Sequence, residues 1–235
     1  MDINQYISNI SFSSVKPQTV IEKPIFDSQR LKFEVENTIL PENDKEMKDS
    51  LSEICKIPKM STLPLAAIIN KCVSMMDEND SYVNVGVWNG FSYLAGLINN
   101  PNKKCVGIDN FSSFGGPRVD FMKRFTQYKS QNHDFYDMDY LDYLKSVHKG
   151  SIGFYFYDGP HDYKNQLEAL QLAERFFSKN CIIMIDDTNW DPPRRATLDF
   201  ISSSSNDYDI LLDVNTYCNG HPTFWNGVMI LKKIN

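Results

Sequence analysis

Residues 82–93 read YVNVGVWNGFSY. The opening run, rich in β-branched residues, suits a strand, and Asn89-Gly90 then opens a helix from Phe91. The same pattern recurs downstream. CVGI (105–108) is an apolar run ending at Asp109, IGFYFY (152–157) leads into Asp158, and CIIMI (181–185) ends at Asp186-Asp187. Helical periodicity fills the intervals. Leu65, Ile68, Ile69, Cys72, Met75 and Met76 precede the first strand, with Ser61 or Thr62 available as cap and Pro64 in the first turn. Phe121, Phe125 and Tyr128 share a helix face after Pro117, and a helix from about His161 to Phe177 follows the third strand. Pro192-Pro193 suits the start of another, and strands at 208–212 and 227–231 complete the chain. Apolar strands alternating with helices predict an α/β fold on a mostly parallel sheet.

The 235 residues suffice for a sizeable core, and 42% apolar with 23% charged residues is an ordinary globular composition. A formal charge of −6 argues against a chain dedicated to phosphate backbones. No apolar run reaches the ~18 residues of a membrane span, and MDINQYISNI has no secretory pattern. Five cysteines (55, 72, 105, 181, 218) without a CxxC pair point to reduced thiols in a cytoplasm. The first sixty residues are richer in Ser, Asn, Lys and Glu, with prolines at 17, 24, 41 and 58. They read as an arm, lid or dimer-contact segment ahead of a domain at 61–235. Within them LKFEVENTIL (31–40) is open between a strand and an amphipathic turn.

Glycines and acids gather at one rim, the carboxyl ends of the strands, where ligands bind in such sheets. Singly, each is a turn glycine or a helix cap; together they make a site. Gly86-x-x-x-Gly90 allows close backbone approach but lacks both the GxGxxG spacing and a terminal GK[ST]. Asp109 is placed to accept from a ribose diol. Asp158, Asp186 and Asp187 offer hard oxygens suited to Mg²⁺. His161 lies three residues beyond Asp158 and is the candidate general base.

The segments YVNVGVWNGFSY, CVGIDN (105–110), FYDMDYLDYL (135–144), FYFYDGPHDY (154–163) and CIIMIDDTNW (181–190) resemble the class I S-adenosylmethionine-dependent methyltransferases. Within these, the resemblance is to the metal-dependent small-molecule O-methyltransferases of the macrocin type, and it spans roughly 82–234. It implies a Rossmann-like, doubly wound seven-stranded sheet with an antiparallel last strand and helices on both faces. It implies S-adenosylmethionine held by Asn84, Gly86, Asn89, Gly90, Ser92, Asp109, Asp139 and Asp158. Gly86, Asn89, Gly90 and Ser92 would surround the methionine moiety, Asp109 the ribose and Asp139 the adenine. Asp158, Asp186 and Asp187 would ligate Mg²⁺, and His161 would be the catalytic base. Asn84 stands where that family usually has Glu or Asp.

The expected activity is therefore O-methyl transfer to a small polyhydroxylated acceptor such as a sugar-bearing natural product, with no nucleic acid or membrane partner and a possible homodimer. Trp190, Arg194, His221, Phe224 and Trp225 are candidates for the acceptor wall, with packing under the last strands at least as good a reading for Phe224 and Trp225. The alternatives are a non-catalytic S-adenosylmethionine-binding protein and a metal-independent methyltransferase.

Overall fold

Along the central strands alternate side chains enter two separate cores. Tyr82, Phe154, Phe156, Ile182 and Met184 belong to one, and Val83, Val85, Tyr155, Tyr157, Ile183 and Ile185 to the other. A sheet apolar on both faces must be covered by helices on both faces, which is the reason for the uninterrupted apolar runs. The computed structural model describes residues 1–22 and 29–235. Pro24 of the arm lies outside the described residues.

The chain begins with α1 (Ile3–Ser8), β1 (Ser11–Phe12), α2 (Arg30–Asn37), β2 (Thr38–Ile39), α3 (Asp44–Leu51) and a short 3₁₀ turn (Ile54–Lys56). There follow α4 (Leu63–Met75), β3 (Ser81–Val85), α5 (Phe91–Leu97), β4 (Lys104–Asp109), α6 (Arg118–Tyr128), β5 (His133–Asp137) and the one-turn α7 (Tyr140–Asp142), which runs into a π-type turn at Tyr143–Val147. The chain ends with β6 (Ile152–Tyr157), α8 (Tyr163–Glu174), β7 (Phe177–Asp186), α9 (Asp191–Ser203), β8 (Tyr208–Val214) and β9 (Val228–Lys233). The seven-stranded sheet has the order β5-β4-β3-β6-β7-β9-β8. β3 to β7 run parallel, and β9 is antiparallel to both β7 and β8. The expected doubly wound sheet with an antiparallel last strand is what forms. Strand order reverses between β3 and β6, so a crevice opens at their carboxyl ends.

Three local readings change. LKFEVENTIL is mostly helical: Arg30 and Glu34 pair at i,i+4 within α2, and only Thr38–Ile39 is extended. Thr62 stands at the N-cap of α4, but its hydroxyl donates to the Thr223 carbonyl. Glu34 Oε2 instead accepts the Leu63 N–H at 3.0 Å. Helix α8 starts at Tyr163, because the Asp162 carboxylate accepts the Asn165 N–H and caps it there. His161 thus remains in the loop, and Phe177 begins β7 rather than ending a helix.

Described residues of the arm pack directly on the sheet's helices. Ile3, Ile7, Leu40, Leu51, Ile54 and Cys55 are buried in the same core as Leu65, Ile68 and Ile69 of α4. All five cysteines are free thiols. Among the described residues no helix is long and apolar enough to cross a membrane.

Candidate active site

β3 and β6 lie side by side and their ends nearly touch. A Cβ on Gly86 would sit 1.9 Å from the Asp158 carbonyl oxygen, and Gly86 has φ +79°. Only glycine allows this crossing, which brings the turn after β3 against the acid that ends β6. Asp109, at the end of β4, ties the turn down. Its Oδ2 accepts the N–H groups of Val87 (2.9 Å) and Trp88 (2.8 Å), and its Oδ1 accepts that of Phe111 (2.7 Å).

A cavity of about 630 Å³ opens there, within the ~300–1,000 Å³ typical of small-molecule sites. Gly86, Ser92, Asp109, Asp139, Asp158, His161, Asp186 and Asp187 all line it. Asn84, Asn89 and Gly90 do not reach the lining. Asn84 is fully buried, accepting from the Tyr82 hydroxyl at 2.9 Å and donating to the Gly86 carbonyl at 2.9 Å. Asn89 accepts the Arg124 guanidinium at both its carbonyl and its side-chain oxygen. A Cβ on Gly90 would be 2.9 Å from the Phe121 ring, so Gly90 serves the packing of α6. Of the acceptor-wall candidates, Trp190 and Trp225 line the cavity. Arg194 pairs with Asp213, and His221 is bonded to Thr223 and Thr19.

The acids converge on the imidazole. His161 Nε2 lies 3.4 Å from Asp158 Oδ1 and 3.4 Å from Asp187 Oδ2, and Trp190 packs edge-on with ring centroids 5.9 Å apart. Burial pulls the His161 pKa down, but Asp158 and Asp187 outweigh it and hold it above the ordinary value. Burial raises Asp158 to about 6 against the opposing pull of His161. Asp186 and Asp187 are also raised, chiefly by burial. Asp186 Oδ1 is buried with no hydrogen-bond partner. These hard, under-compensated oxygens suit a divalent cation in kind. Among the described residues, however, no three acids or imidazoles close on a single point as they would around a bound metal.

Several lining residues carried no signal in the sequence. Lys59 and Met60 come from the end of the arm, Ser61 from just ahead of α4, Phe111 and Phe114 from the loop after β4, and Asn219 from the loop before β9. Trp88, Phe111, Phe114, Asp187 and Trp225 all have positive φ although none is glycine, and all five line this cavity. Such strain concentrates where a site holds its geometry against backbone preference.

Residues 83–188 match the family model described as a methyltransferase domain. No curated protein matches its sequence significantly. Among solved structures, the O-methyltransferase TomG from Streptomyces achromogenes, involved in tomaymycin synthesis and solved with SAM, aligns with a TM-score of 0.58 at 11% identity, over 80% of this chain and 90% of that one. The O-methyltransferase from Bacillus cereus, solved with SAH, aligns at 0.54 and 13% identity, over 84% and 94%. An rRNA methylase from Streptococcus thermophilus aligns at 0.52 and 13%, over 71% and 94%. At such identities the likeness is one of fold, and the neighbours that share the fold are named for different acceptors. The matched span contains the strand-end acids and His161. Lys59–Ser61 and the 219–225 loop, which complete the cavity, lie outside it.

Proposed function

We propose that this chain is an S-adenosylmethionine-dependent O-methyltransferase, acting in the cytoplasm on a hydroxyl of a small polyhydroxylated acceptor. The observation that carries the reading is the placement of His161 Nε2, 3.4 Å from two carboxylates, in a cavity at the strand-order reversal beside a glycine turn. Asp109 and Asp139, at the far side of the glycine turn, would receive the ribose and adenine. Asp158, Asp186 and Asp187 would hold Mg²⁺. When bound, the cofactor supplies an electrophilic methyl group, and the metal supplies a Lewis acid that lowers the pKa of an acceptor hydroxyl.

The chain's own residues then have distinct tasks. His161 takes the hydroxyl proton at Nε2, since that nitrogen faces the cavity acids. Asp158 and Asp187 orient the ring and stabilise the imidazolium formed. Trp190 packs against the imidazole edge-on, leaving it little freedom to rotate away. Asp109 keeps the glycine turn and the 110–116 loop in register, so the two reacting centres are held rather than assembled by chance, a contribution that reaches ~7–11 kcal/mol in well-oriented cases.

A metal-independent form of the same reaction is favoured by one observation. His161 already serves as countercharge to Asp158 and Asp187, and the donors are not closed on one point. The test is methyl transfer from labelled S-adenosylmethionine to diol acceptors, with Mg²⁺ or with EDTA. Turnover lost in EDTA and lost in Asp158→Ala supports the metal-dependent reading. Turnover undiminished by EDTA selects the metal-independent one, and cofactor binding without turnover on any diol refutes catalysis of this kind.

A further inference from the structure

The cavity is electrically lopsided. Five aspartates line it, and among the described lining residues Lys59 is the single Lys or Arg. Lys59 lies on the arm, ahead of the span matched by the methyltransferase family, and its side chain is 6% exposed. Its Nζ donates to Glu34 Oε1 (3.0 Å), Glu34 Oε2 (2.8 Å) and the Ser61 carbonyl (2.9 Å), and it stands 5.1 Å from the centre of the Phe91 ring. Phe91 and Ser92, both in the lining, immediately follow the Gly86–Gly90 turn.

We propose that Lys59 binds the carboxylate of the cofactor's amino-acid moiety. The proposal rests on the S-adenosylmethionine reading above and names a residue that the resemblance did not. A ligand with a cationic sulfonium and an anionic carboxylate needs acids near one and a base near the other. A carboxylate anywhere beside Asp109, Asp139, Asp158, Asp186 or Asp187 is repelled, whereas beside Phe91 it meets Lys59. Glu34 fixes the ammonium without fully neutralising it. The fully buried Glu34 carboxylate also accepts Arg30 Nε at 2.5 Å and the Leu63 N–H at 3.0 Å, so its single charge is shared between two cations. An ammonium has three N–H donors. All three are engaged here, two on Glu34 and one on Ser61, and the one directed at Glu34 Oε1, the longest at 3.0 Å, turns to the ligand carboxylate on binding.

The experiment is calorimetric titration of the full chain with S-adenosylhomocysteine and with 5′-deoxy-5′-methylthioadenosine, which has the same nucleoside but no amino-acid end. Lys59→Met is expected to weaken S-adenosylhomocysteine about 10- to 100-fold, the range of a charge-assisted hydrogen bond, while leaving methylthioadenosine within about twofold. Lys59→Gln, which can still bond Ser61, should behave like Lys59→Met, and Lys59→Arg should recover most of the affinity. Unchanged S-adenosylhomocysteine affinity in both neutral variants overturns the proposal, as does equal weakening of both ligands, which would mean a role in wall shape alone. A native chain that binds neither ligand removes the cofactor reading itself, a result separable from failure of the Lys59 assignment.

Discussion

Replacing Gly86 with alanine puts a methyl group where the Asp158 carbonyl oxygen already lies. The new Cβ would be 1.9 Å from that oxygen and 2.7 Å from its carbon, and the residue would keep φ +79°. The conformational cost for an L-residue there is about 1–2 kcal/mol. Relieving the overlap moves one strand end by more than 1 Å, at roughly the 1–3 kcal/mol of forced overpacking. The sum, about 2–5 kcal/mol, is a large share of the ~5–15 kcal/mol that holds a typical domain together. It corresponds to a loss of roughly 4–20 °C in Tm for a chain of this size. Because the displaced atom belongs to Asp158, methyl transfer should fall by about 10²-fold or more even in the fraction that stays folded. Gly150→Ala is the control, with φ +90° but nothing within 4 Å of its added Cβ. It should show only the conformational part. Thermal melts of both variants, with single-turnover rates at a temperature where both are folded, decide the matter. A Gly86→Ala chain that melts with Gly150→Ala and turns over normally would refute the crossing as the reason for the glycine.

Other outcomes follow from the same geometry. His161→Ala should lower turnover by about 10²–10⁴-fold, the usual worth of a general base, with little change in S-adenosylhomocysteine affinity by calorimetry. Glu34→Ala strands Lys59 in a nearly dry wall and should cost about 3–5 kcal/mol in urea unfolding, with Glu34→Gln intermediate. Acid should destabilise the fold through three histidines. Burial lowers the folded pKa of His133, His148 and His221, so below about pH 6.5 the unfolded chain takes up protons that the folded chain refuses. Stability is therefore complete above that pH and falls as pH drops toward the folded values. His133→Gln should flatten the slope of Tm against pH, because Nδ1 of His133 accepts the Ser130 N–H at 3.0 Å and cannot be protonated without losing it.

The strand pattern was open to reading because burial on both faces leaves Tyr155–Tyr157 and Ile182–Ile185 without a polar interruption, and Val83–Val85 with Asn84 alone. The strand-end acids were legible for a related reason: a carboxylate that follows such a run emerges at the rim where ligands bind. What the sequence hid was decided by partners far along the chain. Glu34 clamps Lys59 from 25 residues away and caps α4 at Leu63 from 29. Thr62 looks like a cap and spends its hydroxyl on Thr223. Asn84, read as a cofactor contact, is occupied by Tyr82 and Gly86 beneath the turn. Positive φ at Trp88, Phe111 and Phe114 leaves no trace in residue type, since the compensation comes from Asp109 and from the Trp88 indole N–H donating to the Phe114 carbonyl at 3.0 Å.

The position of β9 imposes an order on synthesis. β8 is made before β9 but pairs only with it, and β9 is also the sole cover for the far edge of β7. At ~5–20 residues per second a ribosome spends roughly 0.7–2.6 s on the residues between the two strands. Until β9 is in place β8 has no neighbour and the apolar β7 has an open edge, the arrangement most prone to pairing with another chain. Closure of the sheet is thus a late, single event in which one hairpin arrives with its inner strand last. Slowing translation across 215–227, or substituting Met229 or Ile230 at the centre of that strand, should raise the yield of aggregate far more than equivalent changes in β4 or β5.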